Sequence, residues 1–278
     1  MAGRENRVRG GKAAAAGARE LSTPIIHHHS SFINSHGFTL IELLVVISIV
    51  ALLMAILLPT PSRARKQARA VACQAKLRQW GLVFSMYVED SDRPYPLAKI
   101  CLISPWYHSL RPYCSDSNDM LLCPMATRYE ENENDPHLLD KNHCLGSKYT
   151  AWKSSVLRGN GRAYYGSYGI NYLVRAEPYT AQTPLLLDCA SAGFSVMRTD
   201  VPPAFDGELV GMLSHACIDR HQGTINGLFC GMTVRKVGLK ELWTLRWHPE
   251  WDTANRWTKA GGVQPEDWPA WMRGFKDY

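Results

Sequence analysis

The stretch that decides how this chain is read is Gly37 to Leu58, GFTLIELLVVISIVALLMAILL. From Phe38 onward every residue but Thr39, Glu42 and Ser48 is apolar. As a helix, Phe38 to Leu58 would reach about 32 Å, enough for the roughly 30 Å of hydrocarbon in a bilayer. A transmembrane helix over 38–58 is therefore expected. A secretory signal has a shorter apolar run ending in small residues at its cleavage site, whereas this one runs into Pro59. Glu42 is the anomaly, because an ionised carboxylate costs about 2.5–3.5 kcal/mol at the centre of a bilayer. It calls for a cationic partner.

Upstream, Arg4, Arg7, Arg9, Lys12 and Arg19 face only Glu5 and Glu20, so residues 1–37 carry half of the net charge of +6. Ala2 to Ala18 is low in complexity, and residues 21–37 contain no Lys or Arg. Residues 1–37 are read as a leader, with His27, His28 and His29 as a polar part of it rather than a metal site. Downstream, Arg63, Arg65, Lys66 and Arg69 would place the C-terminal side in the cytoplasm by the positive-inside rule. The cysteines favour an exported domain, and a basic cluster can equally be the solvated face of a helix.

Gly37-Phe38-Thr39-Leu40-Ile41-Glu42-Leu43-Leu44-Val45-Val46 resembles the processing site of type IV prepilins and type II secretion pseudopilins. The resemblance implies that a prepilin peptidase cuts after Gly37, that the new amine on Phe38 is N-methylated, and that Glu42 guides subunit assembly. It also implies a single-pass inner-membrane protein whose C-terminal domain is periplasmic or on the cell surface. After such a cut, the Phe38 amine would lie four residues before Glu42 on the same helix face and could neutralise it. Methylation keeps the charge. The first turn also favours an anion through the helix dipole.

Beyond Pro59 and Pro61, Ser62 can cap a helix whose apolar positions Ala64, Ala68, Val71, Ala75, Leu82 and Met86 recur at roughly helical spacing and which should end near Tyr87 to Asp92. Residues 59–92 are thus expected to continue the N-terminal helix, and 93–278 to form an extracytoplasmic globular domain. The fold class expected is α+β and pilin-like: a long N-terminal helix, its first half in the membrane, packed on a C-terminal antiparallel sheet with a short added helix.

Within that domain, residues 93–163 are rich in Pro, Asn, Asp and Cys and read as loops with brief helices or strands. Glu130, Glu131, Glu133 and Asp135 lack EF-hand spacing and read as a solvated loop. Gly166 to Tyr172 should turn into a strand, and Pro184 to Asp188 should form a buried strand with a polar end. Thr224 to Cys230 and Thr233 to Val237 suggest a hairpin turning at Gly231. Leu239, Leu242, Trp243 and Trp247 share one helical face that should dock on the sheet.

The segment from His221 resembles that of a pilin-like family defined by a His, nine residues and Asp-Gly. His221 matches, Gln222 to Cys230 supply the nine, and Gly231-Met232 replaces Asp-Gly. That Asp could merely shape the turn, or it could pair with the histidine as a ligand or catalytic group. The turn reading is preferred, because Gly231 serves a turn as well.

Eight cysteines suit disulfides in an exported domain, and Cys114 with Cys123 is the expected pair, across the turn-rich Ser115 to Asp119. A zinc site of the paired Cys-x-x-Cys kind is absent. No metal or cofactor is expected. Six of nine tryptophans lie between Trp243 and Trp271, where core packing is preferred to sugar stacking. No Gly-x-Ser-x-Gly, phosphate loop or His-Glu-x-x-His is present, and Asp188, Asp206, Glu208, His215, Asp219 and His221 are scattered. An enzyme is not expected. The charge is too mild for nucleic acid. The partners expected are prepilin peptidase, further pilin or pseudopilin subunits and inner-membrane lipid. The alternative is a monomeric membrane-anchored binding module, with carbohydrate as ligand.

Overall fold

A computed structural model of the chain describes residues 37–57, 59–91, 106–114, 118–126, 138–140, 143–155, 163–174 and 179–278. The chain divides into two compact units, Met1–Leu53 and Met54–Tyr278. The leader with its histidines, and the acidic run at 130–135, lie outside the described residues.

Helix α1 spans Leu40–Leu57. It starts two residues later than the apolar stretch, because Phe38 and Thr39 are not helical, and Leu58 lies outside the described residues. Its 18 residues correspond to about 27 Å, and no helix among the described residues is long and apolar enough to cross a membrane. Its described side chains are exposed on every side, Leu40 at 79%. Ser48 donates to the Val45 carbonyl at 2.7 Å, so this hydroxyl is satisfied inside the helix.

Helix α2 spans Pro59–Ser91. Pro59 and Pro61 fall in its first turn, where the missing N–H groups have no helical partner to lose. Arg63, Arg65, Lys66 and Arg69 are all exposed, as a solvated face requires. The buried stripe is Cys73, Leu77, Trp80 and Phe84, spaced by four, three and four residues. This corrects the phase expected from the sequence. Val71, Leu82 and Met86 lie on the exposed side, Leu82 at 67%.

The remaining elements are α3 (Trp106–Leu110), β1 (Leu138–Asp140), β2 (His143–Cys144), β3 (Trp152–Ser155), β4 (Ala163–Gly166), β5 (Tyr168–Asn171), β6 (Pro184–Asp188), β7 (Gly193–Phe194), β8 (Thr224–Phe229) and β9 (Val234–Gly238). One sheet is antiparallel in the order β1-β2-β3-β4, in a region expected to be mostly loop. The other has the order β7-β5-β6-β8-β9 and is antiparallel except for the β5–β7 pair. The class is α+β, with a long N-terminal helix and a C-terminal sheet domain.

The period-two alternation of the central sheet builds two cores. Tyr168 and Ile170 of β5, Leu186 of β6 and Leu228 of β8 join the buried stripe of α2 and Trp106. Trp106 meets Trp80 edge-on at 5.0 Å between ring centroids. Leu187, Ile225 and Phe229 point the other way, into a layer containing Leu242, Trp243, Trp247 and Trp268. Four of the six C-terminal tryptophans (Trp243, Trp247, Trp251 and Trp268) are buried, in keeping with packing. The segment expected as a helix from Leu239 is a 3₁₀ turn, Lys240–Thr244, and Leu239, Leu242, Trp243 and Trp247 are all buried. In the β8–β9 hairpin the left-handed residue is Met232 at φ +58°, not Gly231. Gly231 is needed for close approach, since a Cβ there would lie 2.8 Å from the Ala181 Cβ.

Candidate functional site

Two places in the molecule carry chemistry. The first is the start of α1. Gly37 and Phe38 are exposed and lie in non-helical backbone, with open space around Gly37. Thr39 and Glu42 form a reciprocal cap. The Glu42 N–H donates to Thr39 Oγ1 at 3.2 Å, and both the Thr39 N–H and its hydroxyl donate to Glu42 Oε2 at 2.8 Å. This is a capping box, which satisfies two N-terminal N–H groups at once. Its signal, Thr39-x-x-Glu42 ahead of an apolar run, is present in the sequence, and it gives Glu42 a partner other than the amine expected above. In the uncut chain the carboxylate is held by Thr39.

The second place is buried on the α2 side of the central sheet. Cys73 comes from the middle of α2, Cys123 from the turn after the 3₁₀ segment Asn118–Leu121, Asp188 from the end of β6, and His221 from just before β8. All four are buried, and their donor atoms lie within 4.8 Å of one another. The Cys73 thiol is 3.7 Å from each Asp188 oxygen. Cys123 Sγ lies 3.4 Å from His221 Nε2, and that nitrogen is 3.2 Å from Asp188 Oδ2. Tyr168 donates its hydroxyl to Cys73 Sγ at 3.3 Å.

Arg220, 1% exposed, supports this group. Its NH1 lies 3.3 Å from Asp188 Oδ1 and 2.7 Å from the Ser167 carbonyl, while NH2 and Nε donate to the carbonyls of Ser147 and Lys148. The Asn226 N–H donates to Asp188 Oδ2 at 2.8 Å. Burial alone would raise the Asp188 carboxyl, but His221, Arg220 and this N–H outweigh it and hold it below the usual range. Burial likewise opposes charge on His221, yet Asp188 and Cys123 push the imidazole up to about 9. Cys123 is brought down to about 7 against burial by its bonds to Cys73 and His221 and by the Arg220 charge. Burial pushes Cys73 well up.

The cluster is not a nucleophilic triad. There the carboxylate and nucleophile would engage opposite ring nitrogens, whereas here both face Nε2. Cys123 is also fully buried, beyond the reach of a substrate.

The Cys114–Cys123 disulfide expected from the sequence is not formed. Cys123 turns inward to His221, while Cys114 Sγ donates to the Leu110 carbonyl at 3.3 Å. His221, read as a turn-adjacent family residue, has a carboxylate partner after all, supplied by β6 rather than by position 231. Of the other scattered acids, Asp206 and Asp219 share the Lys148 ammonium at 3.0 and 2.9 Å. His215 Nδ1 lies 2.9 Å from Ser191 Oγ, and its burial lowers it to about 4.

Comparison with known proteins bears on the first place. The prokaryotic N-terminal methylation motif is matched over residues 33–58, which makes the N-terminal part of the chain type IV prepilin-like. The chain is similar to the type IV wide pilus major component PilA4 of Thermus thermophilus, 42% identical over 71 residues. That alignment covers 26% of this chain and 53% of the relative, so the chain spans about half the length of the curated relative it matches. No solved structure matches the chain.

Proposed function

We propose that the chain is a pilin-like structural subunit, inserted in the inner membrane through residues 38–58, cut after Gly37 and methylated on Phe38. Its globular region then stands outside the cytoplasm, and polymerisation proceeds through the N-terminal helix into a pilus or a type II secretion pseudopilus. The observation that carries this reading is the methylation motif over 33–58, which covers an α1 apolar on all sides and exposed. Such a helix finds its partners in lipid or in neighbouring helices. The apolar run 38–58, taken as one helix, has the length of about 32 Å needed to span.

Glu42 then has two partners in turn. Thr39 holds it before processing, and the Phe38 amine, its own or a neighbouring subunit's, competes for it afterwards. Anchored among apolar helices, that ion pair sets the axial register.

The test is Glu42→Ala in the native host. Terminal mass spectrometry should still find an N-methylated Phe38, while filaments or secretion fall to background. Normal assembly in that variant removes Glu42 from the mechanism. The competing reading, a monomeric anchored module that binds glycan, requires the variant to behave like wild type and helix-to-helix crosslinks to be absent.

A further inference from the structure

We infer that Cys73, Cys123, Asp188 and His221 form a structural zinc site that ties α2 to the central sheet. The proposal is independent of the assembly reading. Two thiols, an imidazole nitrogen and a carboxylate oxygen are the donors zinc takes in closed four-coordinate sites, and here they converge from four segments.

The spacing among the donors matches that chemistry. With zinc bonds of about 2.3 Å to sulfur and about 2.0–2.2 Å to nitrogen and oxygen, the edges of the tetrahedron are about 3.4–3.8 Å. The distances here are 3.7 Å from Cys73 Sγ to the Asp188 oxygens, 3.4 Å from Cys123 Sγ to His221 Nε2, and 3.2 Å from Nε2 to Asp188 Oδ2. Each donor is about one tetrahedral edge from its neighbour. All four donor atoms lie within 4.8 Å of one another, so closing them on one ion takes shifts of no more than about 1 Å.

Charge and surroundings agree. Two thiolates, a carboxylate and Zn²⁺ together carry one net negative charge, which the buried Arg220 guanidinium beside Asp188 cancels. Zinc displaces the protons of both thiols and any proton on Nε2. The imidazole is committed to the cluster: Nε2 faces Asp188 and Cys123, and the buried Nδ1 has no hydrogen-bond partner among the described residues. Two of the four ligands have supports of the kind found behind metal ligands: Asp188 is held by Arg220 and the Asn226 N–H, and Cys73 by Tyr168. Four protein ligands leave no open position for a reacting molecule, so the site is structural.

The test uses the full chain purified under reducing conditions in detergent micelles. Elemental analysis should find one zinc per chain. Replacement by Co²⁺ should give a thiolate-to-cobalt charge-transfer band and tetrahedral d–d bands, lost in Cys73→Ser and Cys123→Ser and kept in Cys217→Ser, a buried thiol outside the cluster. Metal on His27 to His29 alone would give no thiolate band. Should the serine variants fail to fold, chelation of the wild type decides: melting temperature falls with chelator and recovers with zinc. The proposal is overturned by a reduced protein that takes up no Co²⁺ through thiolate, by a band that survives both cluster variants, by melting indifferent to chelator and zinc, or by a native Cys73–Cys123 disulfide in peptide mass spectrometry.

Discussion

The 18 residues of α1 and the 33 of α2 follow closely in the chain and treat their apolar side chains differently. Leu40, Leu43, Leu44 and Ile47 of α1 are exposed, whereas Cys73, Leu77, Trp80 and Phe84 of α2 are shut away against the central sheet. Among the described residues, the bonds of one helix are local: its backbone ladder, its cap and the Ser48 hydroxyl on the Val45 carbonyl. The other is fixed by tertiary packing, the larger source of helix stability in proteins. The contrast separates a segment whose apolar side chains stay exposed from one whose apolar stripe is already buried.

The comparison breaks most visibly at Trp80. This ring packs on Trp106 and donates its indole N–H to the Met120 carbonyl at 2.8 Å. Trp80→Ala should cost about 3–5 kcal/mol in a denaturant melt of the 54–278 unit, while Leu44→Ala in α1 stays within about 0.5 kcal/mol. Equal effects would mean that α2 is not the anchored helix.

Acid offers a second separation, because α1 contains no histidine. His215 is lowered to about 4 by burial, against about 6.5 unfolded, so protons favour the unfolded state as pH falls through that window. Its contribution is intact above pH 7 and about 2–3 kcal/mol is lost by pH 4. Melts of wild type and His215→Asn should differ in pH dependence by this amount, with α1 helicity unmoved. Parallel pH profiles would place the acid sensitivity elsewhere.

The smallest effect tests the cap. Thr39→Ala removes one side of the capping box, worth about 1 kcal/mol, and should speed amide exchange at Glu42 and Leu43 roughly fivefold in micelles without changing the melt of the 54–278 unit. Unchanged exchange would mean that α1 is held by something other than Thr39.

These regions also differ in how legible they were. The methylation motif over 33–58 is one contiguous stretch, so a linear reading reaches it. β6 and the β8–β9 hairpin were legible because their apolar runs are short and bounded by turn residues. The buried face of α2 was not. Its sequence carries two stripes at helical spacing, Ala64-Ala68-Val71-Ala75 and Cys73-Leu77-Trp80-Phe84, and only the sheet, formed by distant residues, chooses between them. The cysteine–histidine cluster was illegible for a related reason. Its donors at 73, 123, 188 and 221 have no local spacing, and the close-pair rule that argued against metal finds only ligands that share a loop. The carboxylate facing His221 is Asp188 at the end of β6, 33 residues earlier in the chain, which no local pattern links to it.

The bond from Gln74 Nε2 to Asn226 Oδ1, 2.9 Å long, joins residues 152 positions apart. At about 5–20 residues per second, a ribosome needs on the order of 8–30 s after making α2 before the strand that covers it exists. For that interval the α2 stripe lacks its cover from the central sheet, and the slow long-range pairing of β8 with β6 must still follow. A newborn chain of this design therefore carries an incompletely covered α2 stripe until residue 229 has emerged.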